Sequence, residues 1–212
     1  MAERRVTIGY WKIRGLGQHI TTIAEYAGVK YDLVRYEQGD DFNRDSWLNV
    51  KHTLGFDFPN LPYLIDGDFK LTETAALVHF ICHIGKPELM GIDAKQKAEV
   101  EMIFRLLIDL KWALVPQMYG GDREGNNKVI EDKMPAFEKY LQGKQWFCGD
   151  SITYVDLWFH EQADWFDYIY GKEAWNEKYP NAAALHKRVA ELPEIVLYRA
   201  SERWTEVPFN MK

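Results

Sequence analysis

Two unlike halves are legible in the 212 residues: an α/β part over 1–85 and an all-α part over 94–212, joined by a linker at 86–93. Three observations carry that reading. Strand-like runs occur only in the first part, where they alternate with helical patterns. Beyond Gly85-Lys86-Pro87 the apolar spacing is helical throughout. At roughly 150 residues per domain, the length suits one large domain or two small ones.

Each element has a local reason. Val6 to Tyr10 is a strand that ends in the loop Trp11-Lys12-Ile13-Arg14-Gly15. Leu16, Ile20, Ile23, Ala24 and Ala27 recur at helical spacing, and Gly28 stops that helix. Tyr31 to Tyr36 is a second strand. Gln38 to Thr53 is irregular and polar, with a short helix near Trp47. Tyr63 to Ile65 is a third strand, Asp66-Gly67 a tight turn, and Phe69 to Leu71 a fourth strand. A helix then runs from near Glu73 to Gly85. The order β-α-β-(α)-β-β-α predicts a small mixed sheet, parallel across the first crossover and antiparallel across the hairpin, with helices on its faces. In the second part a long helix is expected over 94–117, with Pro116 kinking or ending it. Further helices are expected over 129–141, 155–170, 181–192 and 193–203.

Composition excludes several classes. Hydrophobic residues make up 47% and charged residues 27%, which are globular values and exclude disorder. The net charge of −6 argues against non-specific nucleic-acid binding. Only Cys82 and Cys148 occur, with no zinc-finger spacing, so no metal is expected. His79, Cys82 and His83 share one helix, but no further ligand cluster accompanies them. No apolar run reaches the ~20 residues that span a bilayer, and the start is not a signal peptide. A cytoplasmic protein is the expected class. Aromatic residues, at 15%, are in excess and ask for a reason beyond packing.

Four segments of the first part place polar groups where a ligand meets them. Tyr10 stands at a strand end just before a helix N-terminus, a place that favours anions in open α/β sheets; from this position alone the better reading is a core aromatic whose hydroxyl finds a backbone partner. Asn60-Leu61-Pro62 precedes the third strand, and a cis Leu61–Pro62 bond would turn the Leu61 backbone toward a peptide ligand; an ordinary turn is the alternative. Thr72-Glu73-Thr74 opens a helix, either as a cap or as a head-group site with Glu73 for an ammonium and Thr74 for a carboxylate. Arg44, Trp47 and Lys51 offer donors for a second carboxylate, or form a solvated loop face.

Taken together the four would suit a small peptide with an α-amino acid at one end and a carboxylate at the other. Gly9-Tyr10-Trp11-Lys12-Ile13-Arg14-Gly15-Leu16, Trp47-Leu48-Asn49-Val50-Lys51 and the run Leu54 to Gly67 resemble, in the same order, the segments of a cytosolic glutathione S-transferase, most nearly of the mu class. The likeness covers both parts of the chain. It implies a thioredoxin-like N-terminal domain followed by an all-helical C-terminal domain, with glutathione as co-substrate conjugated to small hydrophobic electrophiles in detoxification.

By the same resemblance, Tyr10 is the catalytic hydroxyl. Trp11, Trp47 and Lys51 hold the glycine end of glutathione with Arg44 beside them. Asn60 and the Leu61 backbone hold its middle, and Glu73 and Thr74 its γ-glutamyl head. Asp109 reaches the glutathione of the neighbouring subunit, Tyr119 and Phe209 line the electrophile pocket, and Phe58 is the key of a homodimer. Thr153-Tyr154-Val155-Asp156 resembles the family's capping box, and its Thr-x-x-Asp spacing gives it a folding role. Glu73 stands where the mu class usually has Gln, and the loop between Tyr36 and Trp47 and the tail from Thr205 to Lys212 are short for that class. A glutathione-dependent prostaglandin isomerase, or a ligand-binding or structural relative without turnover, is the alternative function.

Overall fold

The computed structural model describes residues 4–39 and 43–206. The chain divides into two compact units. One runs to Lys86 and takes in the chain from Leu197 onward; the other is Pro87–Val196. The segment from Leu197, which the sequence places with the helical domain, thus groups with the first unit.

In the first unit β1 (Arg5–Trp11), β2 (Lys30–Tyr36), β3 (Tyr63–Asp66) and β4 (Phe69–Thr72) form one sheet in the order β2-β1-β3-β4. β1 pairs parallel with β2 and antiparallel with β3, and β3 pairs antiparallel with β4, as the crossover and hairpin lengths require. Alternation along β1 then sorts the side chains. Val6 and Ile8 are fully buried, and Tyr10 follows them at period two, toward α1 (Gly15–Ala27). Gly9 and Trp11 take the opposite face. There Gly9 lies beneath the Tyr63 ring, and Trp11 meets Tyr36 edge-on at 6.5 Å.

α1 and α3 (Thr74–Ile84) pack against each other and both touch the sheet, so they share a face. α1 ends where Gly28 enters the left-handed region at φ 72°, its N–H returning to the Ala24 and Glu25 carbonyls. The other face carries the four-residue α2 (Asp45–Leu48) and a cluster of Tyr36, Trp47 and Tyr63, against which Trp11, Phe56 and Leu61 pack. The C-terminal segment is tied to α1 by polar contacts. Thr21 Oγ1 and Tyr198 Oη lie 2.6 Å apart, and Arg203 Nε donates to Glu25 Oε1 at 2.6 Å.

The second unit is helical among its described residues. A 3₁₀ turn at Pro87–Met90 occupies part of the expected linker. α4 (Ala94–Gly120) continues through Pro116 for another turn, beyond the expected end. α5 (Arg123–Leu141) starts six residues earlier than the apolar pattern suggests, because Asp122 caps it by accepting from Gly125 N–H at 2.8 Å. α6 (Tyr154–Phe166) gives way to a π-helical turn at Asp167–Gly171, and α7 (Lys172–Lys178), α8 (Pro180–Ala190) and α9 (Pro193–Arg199) follow. α7 was not expected. α6 is the buried centre, with Val155, Leu157, Trp158, Phe159 and Phe166 fully inaccessible.

At the start of α6 the expected capping box is present. Asp156 Oδ2 accepts from Thr153 N–H at 2.8 Å and from Thr153 Oγ1–H at 2.9 Å, while its Oδ1 takes the Phe147 N–H at 2.8 Å. The Phe147 bond ties the preceding loop to the helix, a link the Thr-x-x-Asp spacing does not announce. Burial raises the Asp156 carboxyl to about 6, against the pull of these donors in the other direction.

Candidate functional site

The first unit gathers its expected site residues into three places. Tyr10 occupies the first. Its ring lies over the opening turn of α1, and its Oη accepts the Leu16 N–H at 3.0 Å. The first turn of α1 contains no acidic residue and Arg14 makes no side-chain cap, so the positive end of the helix dipole is not neutralised from within. The phenol oxygen therefore sits where a helix N–H polarises it toward donating its own proton. Two glycines make room for the ring. A Cβ on Gly15 would stand 2.6 Å from Tyr10 Oη, and one on Gly17 would stand 2.5 Å from Tyr10 Cδ1. Both distances fall well inside van der Waals contact.

The second place is the aromatic cluster on the opposite face. Trp47 is only 5% exposed, stacked on Tyr63 at 6.0 Å and edge-on to Tyr36 at 5.1 Å. It is thus a core residue first, and its assignment as a surface ligand group is narrowed accordingly. Tyr36 and Tyr63 satisfy each other through hydroxyls 3.0 Å apart. Trp11 and Leu61 pack on the rim of this cluster. Lys51 follows one turn after Trp47, its N–H donating to the Trp47 carbonyl at 2.9 Å. Arg44 stands exposed at the N-terminus of α2.

The third place joins Asn60 to Glu73. Asn60 Nδ2 donates to Glu73 Oε1 at 3.2 Å, and Asn60 Oδ1 accepts the Leu61 N–H at 2.9 Å. The Leu61–Pro62 peptide is cis. The Leu61 N–H, expected to face a ligand, is held by its neighbour's side chain, so a peptide ligand would have to compete with Asn60 for it. Glu73 has φ 73°, the one positive value among the described non-glycine residues. A backbone held there costs about 1–3 kcal/mol. It turns the exposed Glu73 side chain beside Asn60 at the head of α3, where Thr74 begins the helix.

The remaining expected residues lie elsewhere. Asp109 and Tyr119 are on α4 of the second unit. Phe58 is 82% exposed. Phe209 is outside the described residues. Cys82 is fully buried and its thiol is pushed up to about 12 by that burial, so the His79-Cys82-His83 stretch offers no accessible thiolate. Among the described residues no cluster of His, Cys, Asp or Glu is arranged to hold a metal ion, and no helix is long and apolar enough to cross a membrane. Sequence reasoning quoted Gly9 and Gly15 within the Gly9–Leu16 segment but gave neither them nor Gly17 a role against the Tyr63 and Tyr10 rings. The only signal for them was their density around Tyr10.

Known proteins resemble the chain over nearly its whole length. The family described as "Glutathione S-transferase, N-terminal domain" matches residues 6–82, and "Glutathione S-transferase, C-terminal domain" matches 109–202. The chain is 35% identical over 213 aligned residues to glutathione S-transferase B of Cavia porcellus, covering 98% of this chain and 96% of that protein. It is 34% identical to glutathione S-transferase Mu 1 of Mus musculus, covering 97% of this chain and 95% of that one. Among solved structures, the glutathione S-transferase Blo t 8 superposes with a TM-score of 0.81 at 31% identity, over 93% of each chain.

Proposed function

The chain belongs to the glutathione S-transferase family, and on that premise we propose that it conjugates the glutathione thiolate to small hydrophobic electrophiles, as a cytoplasmic homodimer in a detoxifying role. The observation that carries the reading is the Tyr10 hydroxyl, which accepts the Leu16 N–H at 3.0 Å over the opening turn of α1.

The requirement can be put in numbers. A free cysteine thiol ionises near pH 8.5, so only about 3% is thiolate at pH 7. Lowering that value by about two units needs ~2.7 kcal/mol of preference for the anion. One charge-assisted hydrogen bond from Tyr10, backed by the helix N-terminus, is of that size. Tyr10 stays protonated as the donor, since a tyrosinate would repel the sulfur. The thiol proton leaves to solvent, the sulfur forms a bond to the electrophilic carbon, and the leaving group departs with its electron pair. The enzyme's other contribution is to hold the two reactants together.

The other groups suit the ends of the tripeptide. Glu73 supplies an anion for the α-ammonium, with Thr74 and the α3 N-terminus for the adjoining carboxylate. Asn60 and the Leu61 backbone face the middle. Lys51 and Arg44, with Trp11 and Trp47, serve the glycine carboxylate. Asp109 serves the glutathione of the neighbouring subunit and Tyr119 the electrophile. Phe58, which is 82% exposed, serves as the contact of a homodimer by the family resemblance.

The test is glutathione-dependent conjugation of an activated aryl halide by the wild type and by Tyr10→Phe. Loss of one donor predicts a fall of up to a few hundredfold. Equal rates would refute the role of Tyr10. Tight binding of a bulky apolar ligand with no turnover in the wild type would replace the enzyme reading with a carrier.

A further inference from the structure

We propose that His186 is a protonation-dependent clasp in the helical unit. Protonated, it ties α8 to the end of α6 and to the π-turn at Asp167–Gly171. Loss of that proton in mildly alkaline solution lets the π-turn open while the surrounding helices stay folded. The clasp lies within the second unit and does not depend on the role of Tyr10.

His160, Asp164 and Asp167 follow one another at steps of four and three residues, so they share one side of α6 and of the turn that continues it. His186 meets that side from α8. Its Nε2 lies 3.4 Å from Asp164 Oδ1 and 3.8 Å from Asp167 Oδ2, and its ring stacks on that of His160 with centroids 4.5 Å apart. The side chains of His186, Asp164 and Asp167 are only 12%, 13% and 16% exposed, so solvent and salt screen the pairs little. Two carboxylates at this spacing repel one another, and a cation facing both removes that cost.

The proton has one good place in this pair of rings. A carbonyl only accepts, so the 3.1 Å contact between His160 Nδ1 and the His186 carbonyl makes His160 the donor through Nδ1–H. A charge on His160 would need a second proton in an almost inaccessible ring, stacked on another imidazolium. His186 has the carboxylates instead. An opposite charge within about 4–6 Å shifts a pKa by about 1–3 units, and burial takes part of that back. His186 should therefore titrate about one unit above the ordinary histidine value of ~6.5.

The neighbouring charged groups have other partners. From α5, Arg123 Nε donates to the Ile169 carbonyl at 2.9 Å, and Glu131 Oε1 accepts from the Tyr170 hydroxyl at 2.8 Å. Lys178 of α7 donates to the same Glu131 oxygen at 2.7 Å and holds that carboxyl below its usual range. Glu138 of α5 accepts the Asn181 and Ala182 N–H groups at the start of α8, at 2.8 and 2.9 Å. Lys187 and Arg188 of α8 reach Glu191 and the Gln145 carbonyl. Within this set, the charge that changes between pH 6 and pH 8.5 is that of His186. With its folded value raised, the clasp is at full strength below about pH 6.5 and is lost as pH rises through the folded value. For a rise of about one unit, the opening equilibrium of the turn grows about sevenfold between pH 6 and pH 8.5.

The experiment is amide hydrogen exchange of the full chain across that range, corrected for the intrinsic pH dependence, with proton NMR of the histidine rings. Wild type, His186→Gln and Asp167→Asn are compared. In the wild type, peptides covering 164–171 should lose about sevenfold in protection toward pH 8.5. In His186→Gln the same peptides should be as open at pH 6 as the wild type is at pH 8.5, with no further pH dependence. The ring resonance absent from His186→Gln should titrate near pH 7.5 in the wild type, and lower in Asp167→Asn. A midpoint at or below about 6.5, or wild-type protection of 164–171 that ignores pH, would overturn the proposal. So would a loss spread equally over α4 and α5, which would make the event global unfolding. If His186→Gln does not fold, wild type and Asp167→Asn decide the matter, and an unmoved midpoint in Asp167→Asn would break the tie between His186 and the π-turn.

Discussion

Removing the Asp156 carboxylate tests the fold at a buried, multiply bonded point. In Asp156→Ala three donors lose their acceptor together: the Phe147 and Thr153 N–H groups and the Thr153 hydroxyl, all at 2.8–2.9 Å in the wild type. Asp156 and Thr153 are almost inaccessible, so water cannot replace it without opening the helix end. At about 1–2 kcal/mol per stranded donor the loss is ~3–5 kcal/mol. For a chain of this length that corresponds to roughly 10 °C in Tm.

Urea and thermal unfolding of the two proteins measure it directly, and pH adds a second handle. The folded carboxyl lies at about 6, above its ordinary 3.8. Its contribution is therefore full below the unfolded value and is lost as pH rises through 6. The stability gap between wild type and variant should widen by ~1 kcal/mol on going from pH 7.5 to pH 5. Destabilisation below 1 kcal/mol, or a gap that narrows toward pH 5, would refute the assignment of Asp156 as a buried, multiply bonded anchor.

Two further outcomes follow from the same reasoning. Gly9→Ala drives a Cβ into the Tyr63 ring and should cost ~2–3 kcal/mol by overpacking, seen as an earlier urea midpoint; an unchanged midpoint would show that the cluster yields. Cys82 and Cys148 are both buried, with thiols pushed up to about 12. At pH 8 an aromatic disulfide reagent should therefore modify native protein on the order of a thousandfold more slowly than a free thiol, and two thiols should appear on denaturation. Rapid labelling of either one in the native protein would contradict its burial.

Residues that follow a period were readable from the sequence, and those that depend on distant partners were not. The alternation of Val6, Ile8 and Tyr10 against Gly9 and Trp11 places the strand and separates the two site faces. The turn at Asp66-Gly67 likewise fixes the hairpin. By contrast, the aromatic run from Trp165 to Tyr170 reads as one continuous helix, because apolar spacing does not distinguish an α-turn from the π-turn at Asp167–Gly171. The allegiance of the C-terminal segment was hidden for another reason. It depends on Tyr198 meeting Thr21 and Arg203 meeting Glu25, contacts across more than 170 residues of chain. In the candidate site, residue type and order singled out Tyr10, Asn60 and Glu73. The bond between Asn60 and Glu73, and the space under the Tyr10 ring, were not.

Part of the aromatic content has a structural cause in the unequal cover of the sheet. One face is covered by α1 and α3, helices of 13 and 11 residues. The other has only the four residues of α2 and the irregular chain that follows. A segment without regular structure cannot bury enough aliphatic surface to hold itself against a sheet. Tyr36, Trp47 and Tyr63 fill that space with large rings, and the hydroxyls of Tyr36 and Tyr63 satisfy each other at 3.0 Å. The backbone of the irregular segment is satisfied by side chains: Leu54 O accepts from Lys70 Nζ at 2.7 Å, Phe58 O from Thr72 Oγ1 at 3.0 Å, and the Leu61 N–H donates to Asn60 Oδ1 at 2.9 Å. A longer helix on this face would have stabilised the sheet equally well, but its carbonyls and N–H groups would have been consumed internally. The rings therefore anchor the irregular segment on the sheet, while its backbone groups find partners in side chains rather than in a helix or strand ladder.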